Sequence, residues 1–555
     1  MDLYKTLKHL YQDKADKIYK SILNLIEKEK VDSHTSWLNA SDVMLITYGD
    51  SIINQSEKPL QTLHHFLNKY MKSHIPNVHL LPMYPYTSDD GFSVVDYEKI
   101  NPDLGSWDDI KELSKDFDLM YDGVINHISK ESAWVKGYLA DEKAYQNFFI
   151  PCDPKSDYSM VTRPRALPLY YPYPSKTGTR YLWATFSEDQ IDLNYKEPQV
   201  LLRILEILIF YAKNGARFIR MDAIGFLWKK LGTSCIHLEE THMIIQIIRY
   251  VMDQTVPHTL LISETNVPHQ ENISYFGQNN NEASLVYQFP LPPLVLYTFI
   301  HHHSQRLTSW IKSLDQTPLH PKNTYFNFLA SHDGIGVRPV EGLLSVEEKE
   351  SMIAHVLNAG GRISYKNNPN GTKSPYEMNI SYVDAITYGE DETLKVDKFI
   401  ASQAILVFLK GMPGIYIHSL LGTRNDMDGL LTSGINRRIN RKKLKLNEIE
   451  HTLSLPDSFE SKILAGYLKL IQERKSYQAF SPDASQEVIS MEDRLIVLKR
   501  KHPMDTYAIY VIVNVSNQHI SLDLPFDGLD LVSNNEIHQT LEIKPYAYHL
   551  IKVVL

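Results

Sequence analysis

The chain has 555 residues, 43% hydrophobic and 22% charged, an ordinary composition with ample apolar material for a large core. Its net charge of -9 argues against a general nucleic-acid binder. The two cysteines, Cys152 and Cys235, are far apart and fit no metal-ligand spacing, so we expect buried free thiols rather than a disulfide framework or a zinc site.

The first 40 residues predict helix, because apolar side chains recur near helical spacing among Lys and Asp. We interpret residues 1–40 as an N-terminal helical extension. This segment is too often interrupted by charges for the apolar core of a signal peptide, and no apolar run nearby is long enough to cross a bilayer. The sequence therefore predicts a cytoplasmic protein without a membrane partner.

From residue 43 onward, short apolar runs alternate with helical segments at intervals of a few tens of residues, which is the rhythm of βα units in a parallel sheet. The predicted strands are residues 43–47, 78–81, 119–125, 217–222, 260–264, 284–289, 325–330 and 415–417. Eight such units predict an α/β fold, a (β/α)8 TIM barrel.

Two irregular stretches interrupt the rhythm, and a β-rich segment follows it. Residues 129–195 carry many prolines and aromatics, and this segment is too long for a simple loop. Residues 334–397 are also irregular, with a predicted turn at 367–372. We predict these domains: barrel 41–128, inserted B subdomain 129–195, barrel 196–333, inserted loop subdomain 334–397, barrel end and C-terminal helices 398–486, and an all-β C-terminal domain 487–555.

Three acids stand at the carboxyl ends of three predicted strands: Asp222, Glu264 and Asp333. In a parallel barrel these ends open into one cleft. Arg220 and Asp222 share a strand face, and their pairing fits either a structural ion pair or a catalytic charge. Without metal-ligand spacing or a glycine-rich phosphate loop, paired carboxylates suggest acid/base chemistry at an acetal.

The environments of the acids suggest different roles. Arg220 should favour the charged form of Asp222, which suits a nucleophile, whereas the apolar setting of Glu264 suits an acid that holds a proton. Asp333, together with His332, would then bind sugar hydroxyls and stabilise a cationic transition state.

Four short motifs in order, at 122–127, 220–222, 264 and 332–333, resemble the motif regions of the α-amylase family of glycoside hydrolases and transglucosidases. Further motifs resemble its sucrose phosphorylase subfamily, and the likeness covers about residues 43 to 475. They lie at residues 88–92, 105–109, 163–165, 232–234, 332–335 and 425–427.

Within that subfamily, residues 235–237, 264–276 and 331–342 are similar to glucosylglycerate phosphorylases and relatives acting on glucosylglycerol. Asn266 stands where sucrose phosphorylases have His. The resemblance implies a retaining α-glucosyl phosphorylase: Asp222 attacks the anomeric carbon, Glu264 protonates the leaving group, and phosphate takes the glucosyl unit to give α-glucose 1-phosphate.

The resemblance also implies a glucose pocket. Its members are the hydroxyl-binding residues Asp89, His127, Arg220, His332, Asp333 and Arg437, the aromatic walls Phe92 and Phe186, and the polar wall Gln190. Without the resemblance, we would interpret Phe92 and Phe186 as ordinary core residues and Arg437 as a surface arginine in a basic cluster.

Arg165 matches the subfamily's phosphate-binding arginine, although a solvated loop arginine is an equally good interpretation, and Tyr376 matches a mobile-loop tyrosine that meets phosphate. The chain has Phe226 where the subfamily usually has Tyr, so one hydroxyl contact to phosphate is missing. Arg338 is a candidate for the glycerate carboxylate, with a salt bridge to Glu341 as the alternative.

The remaining alternatives are sucrose or glucosylglycerol phosphorolysis, hydrolysis or transglucosylation in the same family, and a noncatalytic barrel, which retention of all three acids disfavours. The chemistry requires no cofactor and no metal. The expected partners are an α-glucoside, inorganic phosphate and α-glucose 1-phosphate.

Overall fold

A computed structural model describes residues 1–32, 37–314, 318–368 and 371–555. Its centre is a closed barrel of eight parallel strands, each paired with the next along the chain and β8 with β1. The strands are β1 (Met44–Thr47), β2 (Asn77–Leu80), β3 (Asp118–Gly123), β4 (Ala216–Met221), β5 (Leu260–Ser263), β6 (Leu285–Tyr287), β7 (Thr324–Phe328) and β8 (Met412–Tyr416). The predicted (β/α)8 fold is confirmed.

These segments form barrel strands because nearly every one of their side chains is buried, as expected for a sheet covered by helices outside and packed side chains inside. Parallel pairing places all eight carboxyl ends at one rim. The acids predicted at strand ends therefore share that rim, since Asp222 follows β4 directly and Glu264 follows β5.

Helices surround the barrel and extend it at both ends. They are α1 (Leu3–Tyr11), α2 (Ala15–Glu29), α3 (Pro59–Tyr70), α4 (Trp107–Ser114), α5 (Ala133–Leu139), α6 (Pro198–Lys213), α7 (Glu239–Thr255), α8 (His269–Ile273), α9 (Leu291–His301), α10 (Gln305–Leu314), α11 (Val346–Asn358), α12 (Tyr382–Thr387), α13 (Lys395–Phe408), α14 (Ile417–Leu420), α15 (Met427–Ser433), α16 (Leu446–Leu453) and α17 (Phe459–Lys475). None of those in the described ranges has the length and apolarity needed to cross a bilayer.

Strand β8 begins at Met412, three residues before its predicted start at 415. The start lies inside the segment 411–414, Gly-Met-Pro-Gly, whose composition is typical of a turn. The reason is tertiary: a side chain at Gly414 would come within 2.5 Å of the Phe326 ring on β7, so only glycine permits this strand pairing.

The N-terminal helices pack on the barrel. Leu7, Ala15, Ile18 and Ile22 are buried in the main core, and α2 lies against α6 and α7. The hydroxyl of Tyr11 also donates to the Tyr195 carbonyl at 3.1 Å. The predicted domain limits stay a prediction, but the helices here share one core with the barrel.

Two irregular segments stand above the rim. The first contains the hairpin Tyr170–Ser175 with Gly178–Trp183, and the pair His127–Ser129 with Gln190–Asp192 joins it to the barrel. The second contains a three-stranded sheet of Ile335–Gly336, Arg362–Asn367 and Lys373–Asn379. The turn predicted at 367–372 includes residues 369–370, which lie outside the described residues.

The C-terminal segment is all-β, as predicted. A six-stranded sheet has the order Ser485–Val488, Leu495–Lys501, Tyr507–Asn514, Tyr548–Val554, Gly528–Asp530 and Asn535–Ile537, and Ile520–Asp523 pairs with Thr540–Ile543. Solvent exposure was expected for the histidines at 301–303: His301 is exposed, whereas His302 and His303 are partly buried, and His302 contacts the Val515 carbonyl.

Candidate active site

Asp222, Glu264 and Asp333 line one pocket at the carboxyl rim. The same pocket contains most of the predicted sugar-binding residues: Asp89, Phe92, His127, Phe186, Gln190, His332 and Arg437, as well as Arg165 and Tyr376. Sequence positions more than 300 residues apart therefore meet in one place.

Arg220 connects two of the acids from below. Its Nη1 donates to Asp222 Oδ1 at 3.0 Å, and its Nη2 lies 3.8 Å from Glu264 Oε1. The same guanidinium pairs with Asp122, whose other oxygen is 2.7 Å from His79 Nε2. Arg220, His79 and Asp122 are almost completely buried, and Asp222 and Glu264 are each only 8% exposed. The guanidinium of Arg220 is therefore a fixed charge under the pocket.

The backbone after Asp222 also contacts Glu264. Ala223 adopts a left-handed conformation with φ 51°, which is unusual for a residue with a Cβ. In this conformation its N–H donates to Glu264 Oε2 at 3.1 Å. The turn thus links the end of β4 to the acid on β5 and limits the movement of that acid.

Burial raises the pKa of Asp222 well above its usual range, and Glu264, Asp122 and Asp333 add to the rise, while Arg220 opposes it. Burial raises the pKa of Glu264 as well, again against Arg220. Arg220 favours the charged form of Asp222, as expected, but desolvation and the neighbouring carboxylates outweigh this one guanidinium, so the pKa of Asp222 is raised overall. Because the charge of Glu264 raises the pKa of Asp222, the two acids do not titrate independently.

Asp333 is charged. Burial alone would raise its pKa, but Arg437, His332 and Arg441 together lower it, and Arg437 Nη1 lies 2.6 Å from Asp333 Oδ1. Burial lowers the pKa of His332 to about 3, so this imidazole is neutral. It stacks on Phe92 with ring centroids 4.7 Å apart, which makes Phe92 part of the pocket wall.

Asp89 and Arg437 line the same pocket, with Asp89 Oδ1 3.9 Å from Arg437 Nη1. Gln190 donates to the other Asp89 oxygen at 3.3 Å and to the Phe92 carbonyl at 3.1 Å, and the same carbonyl lies 2.9 Å from His127 Nε2. Burial lowers the pKa of His127 to about 4. Arg437 is thus no free surface arginine.

Glu377 was not among the site residues predicted from the sequence. Its carboxylate receives two hydrogen bonds from Arg437, at 3.0 Å from Nε and 2.9 Å from Nη2, and it is 3% exposed. His79 was not predicted either, and Asp122 was placed in a family motif without the role of supporting Arg220. A polar residue inside an apolar strand was the available signal for His79, whereas nothing local distinguishes Glu377.

Arg165 lies beside the pocket with its Nη2 2.8 Å from Asp89 Oδ2, and its guanidinium carbon lies 5.6 Å from the Phe186 ring centroid. Phe186 is in edge contact with Phe226 at 5.5 Å. Arg165 is therefore paired, against the interpretation of a solvated loop arginine. Phe226 is in the aromatic layer beneath it.

Arg165 and Tyr376 also line a second space, which we call the outer cavity. It has a volume of about 500 Å³ and is lined by residues 158–165, 167 and 366–368 with Arg338, Glu341 and Tyr376. The two shared residues place it next to the pocket of the acids.

Arg338 lines this outer cavity, but the alternative pairing suggested for it is wrong. Its Nη2 lies 3.4 Å from Glu271 Oε2, and the same oxygen is 3.2 Å from His237 Nε2. Glu341 is instead 3.9 Å from Lys366. Arg338 thus already holds a carboxylate, from the helix that follows Glu264 rather than from its own loop.

Comparison with known proteins gives consistent matches. The α-amylase catalytic domain matches residues 68–361. Glucosylglycerate phosphorylase of Allomeiothermus silvanus is 49% identical over 461 residues, 82% of each chain, and that of Escherichia coli K12 is 43% identical over 517 residues, 92% of each. The crystal structure of sucrose 6F-phosphate phosphorylase from Thermoanaerobacter thermosaccharolyticum has 25% identity and a TM-score of 0.76, covering 92% of this chain and 100% of that one.

Proposed function

Since the chain belongs to the α-amylase family, we propose that it is a retaining α-glucoside phosphorylase that converts α-glucosylglycerate and phosphate to α-glucose 1-phosphate and glycerate. The observation that carries this proposal is Arg220, whose one guanidinium contacts Asp222 at 3.0 Å and reaches Glu264 at 3.8 Å. Two carboxyl groups that share one charge partner in one pocket are suitably placed for double displacement at a sugar ring.

In the proposed first step, an oxygen of Asp222 bonds to the anomeric carbon as the glycosidic bond breaks. Glu264 gives its proton to the departing glycerate oxygen. This step requires one proton on the pair, and the shorter contact of Arg220, which is with Asp222, favours Asp222 as the charged member and Glu264 as the acid. Arg437 keeps Asp333 ionised near the ring, where its charge stabilises the cationic transition state.

In the second step, a phosphate oxygen bonds to the same carbon as the bond to Asp222 breaks. Glu264, now a carboxylate, takes the proton of the attacking phosphate oxygen. Two inversions restore the α configuration, and Asp222 returns as a carboxylate. No cofactor takes part in either step.

We assign the sugar hydroxyls to Asp89, His127, Arg220, His332 and Arg437, with Phe92 and Phe186 as walls and Gln190 as a polar wall. Support comes from the pocket that all of them except Arg220 line, from the contact of Arg220 with Asp222, and from the contacts of Asp89 with Gln190 and Arg437. A ring of fixed donors and acceptors suits an uncharged hexose, because hydroxyls both donate and accept hydrogen bonds.

We assign phosphate to Arg165 and Tyr376, and the glycerate carboxylate to Arg338. Arg165 and Tyr376 line both the pocket and the outer cavity, where an incoming phosphate would pass. Arg338 lines the outer cavity, and its guanidinium is of a type that binds the carboxylate of a small organic acid. A cytoplasmic location stays a prediction.

The test is an acceptor panel. With α-glucose 1-phosphate as donor, the protein should release phosphate fastest with glycerate, compared with glycerol, fructose and water. In the forward direction, α-glucosylglycerate with phosphate should give α-glucose 1-phosphate. A preference for fructose or glycerol would reassign the protein to sucrose or glucosylglycerol phosphorolysis, and release with water alone would make it a hydrolase.

Two variants test the roles of the acids. Asp222→Asn should abolish turnover of every donor. Glu264→Gln should spare transfer from α-glucosyl fluoride, whose leaving group needs little protonation, far more than transfer from α-glucosylglycerate. Equal loss with both donors would contradict Glu264 as the acid.

A further inference from the structure

The outer cavity has an excess of positive charge. Four cationic side chains line it, Arg163, Arg165, Arg338 and Lys366, against one acid, Glu341. The whole chain carries a net charge of -9, which repels anions at long range. A local cationic entrance is therefore the feature that would let anionic substrates approach the acids.

Three of these four cations already have a carboxylate partner. Arg165 pairs with Asp89 at 2.8 Å, Arg338 with Glu271 at 3.4 Å, and Lys366 lies 3.9 Å from Glu341. Arg163 differs: within the described ranges it makes no ion pair, and its Nε is buried without a hydrogen-bond partner.

The backbone holds Arg163 in this position. Its neighbour Val161 is buried in a small cluster with Cys152, Leu169 and Trp183, and the Thr162 N–H donates to the Ser234 carbonyl at 2.9 Å. The loop is thus fastened on one side of Arg163, and the side chain lines the cavity.

A half-buried guanidinium without a counter-ion is costly, because burial disfavours its charge and, in Arg163, leaves the buried Nε–H without a hydrogen-bond partner. Burial lowers the pKa of Arg163 accordingly. An anion in the outer cavity would remove both costs. Phosphate and the carboxylate of glycerate are the anions of the proposed reaction, and either offers the planar pair of oxygens that a guanidinium binds.

We propose that Arg163 is an outer anion-binding residue that receives the phosphate or carboxylate group of a substrate in the outer cavity, before that group reaches Arg165 and the acids. This inference rests on the proposed function for the identity of the anions. It assigns to Arg163 a role in affinity and specificity for anionic substrates, and no contact with the reacting carbon.

The experiment compares Arg163→Gln with Arg163→Lys, which keeps the charge, and with Lys155→Gln. Lys155 is an exposed lysine of the same inserted segment, so its variant makes the same change in net charge away from the cavity. The measurements are KM and kcat for phosphate in phosphorolysis and for glycerate in synthesis, each at low and high salt.

Arg163→Gln should raise KM about tenfold for phosphate, glycerate or both, with a much smaller change in kcat, as expected for losing one charged hydrogen-bond partner. Arg163→Lys should recover most of this loss, and Lys155→Gln should match the wild type. A rise confined to phosphate or to glycerate identifies the anion. The salt dependence of KM should be weaker in Arg163→Gln than in the wild type.

Hydrolysis of neutral α-glucosyl fluoride by water gives the structural control, and it should fall far less than phosphorolysis in Arg163→Gln. An unchanged KM for both anions, or an equal loss of all activities in the Gln and Lys variants, would overturn the proposal.

A binding measurement separates this inference from the proposed function. Inorganic phosphate should raise the Tm of the wild type more than that of Arg163→Gln, and this requires no turnover. A wild type that forms no glucose 1-phosphate would refute phosphorolysis, whereas equal Tm shifts in the two proteins would refute the role of Arg163.

Discussion

Replacing Arg220 by Gln should move the pH profile of the enzyme to higher pH. Arg220 is the group that lowers the pKa of Asp222 most, and it also lowers the pKa of Glu264. Without it, both acids hold their protons at higher pH. Asp222 must lose its proton to act as a nucleophile, so the apparent pKa of the acidic limb of the kcat/KM profile should rise. The apparent pKa of the basic limb, which is set by Glu264, should rise as well.

The size of the shift follows from the contact of 3.0 Å between Arg220 and Asp222. A pair of unit charges at this distance interacts by about 5 kcal/mol at an effective dielectric constant of about 20, which corresponds to about 4 pKa units. Water that replaces the guanidinium recovers part of this, so we expect a shift of between about 1 and 4 pH units. The contact to Glu264 is longer, at 3.8 Å, and the basic limb should move less.

The assay is kcat/KM for hydrolysis of α-glucosyl fluoride against pH, because neither this donor nor water titrates in the relevant range. Arg220→Gln leaves Asp122 buried without its main partner, which destabilises the fold. The double variant Arg220→Gln with Asp122→Asn avoids this, and it should show a smaller shift in the same direction. A folded variant whose profile stays in place, or moves to lower pH, would refute the electrostatic argument.

Three further variants test other parts of the site. Phe226→Tyr places a hydroxyl in the aromatic layer under Arg165. The variant should lower KM for phosphate about tenfold while hydrolysis of glucosyl fluoride stays constant. An unchanged KM would show that the hydroxyl does not reach phosphate. Glu377→Gln weakens the two hydrogen bonds that hold Arg437, so kcat/KM for the glucosyl donor should fall about 10- to 100-fold. A loss seen mainly in KM for phosphate would contradict the role of Arg437 in binding the glucosyl unit. Arg338→Ala should raise KM for glycerate about tenfold and leave glycerol nearly unaffected, and equal losses would discard Arg338 as the carboxylate partner.

The barrel was predictable because its evidence is local. Each strand is a short run of apolar residues, and a strand buried on both faces needs nothing else to be recognised. The exception is the early start of β8, which depends on the close approach of Gly414 to Phe326. These residues are 88 positions apart, so neither segment alone predicts the contact.

The catalytic candidates were predictable for the same reason, since an acid that ends an apolar strand is visible in the sequence and all strand ends of a parallel barrel share one rim. Their charge states were not. Arg220, two residues from Asp222, suggested a lowered pKa, but burial and three further carboxylates raise it instead. A pKa is a sum over everything near the group, and most of those groups are distant in the sequence.

The (β/α)8 architecture, the C-terminal β segment and the acids at the rim could be predicted from the sequence, because each of these follows from the order of residues within one segment. The pairing of charges depends on the folded chain: Glu377 pairs with Arg437, Glu271 with Arg338, and Asp89 with Arg165, while Arg163 faces the outer cavity without a partner in the described part of the chain. Ion pairs form between side chains that folding brings within about 4 Å, so the partner of a charge is a property of the folded chain rather than of its neighbours in sequence.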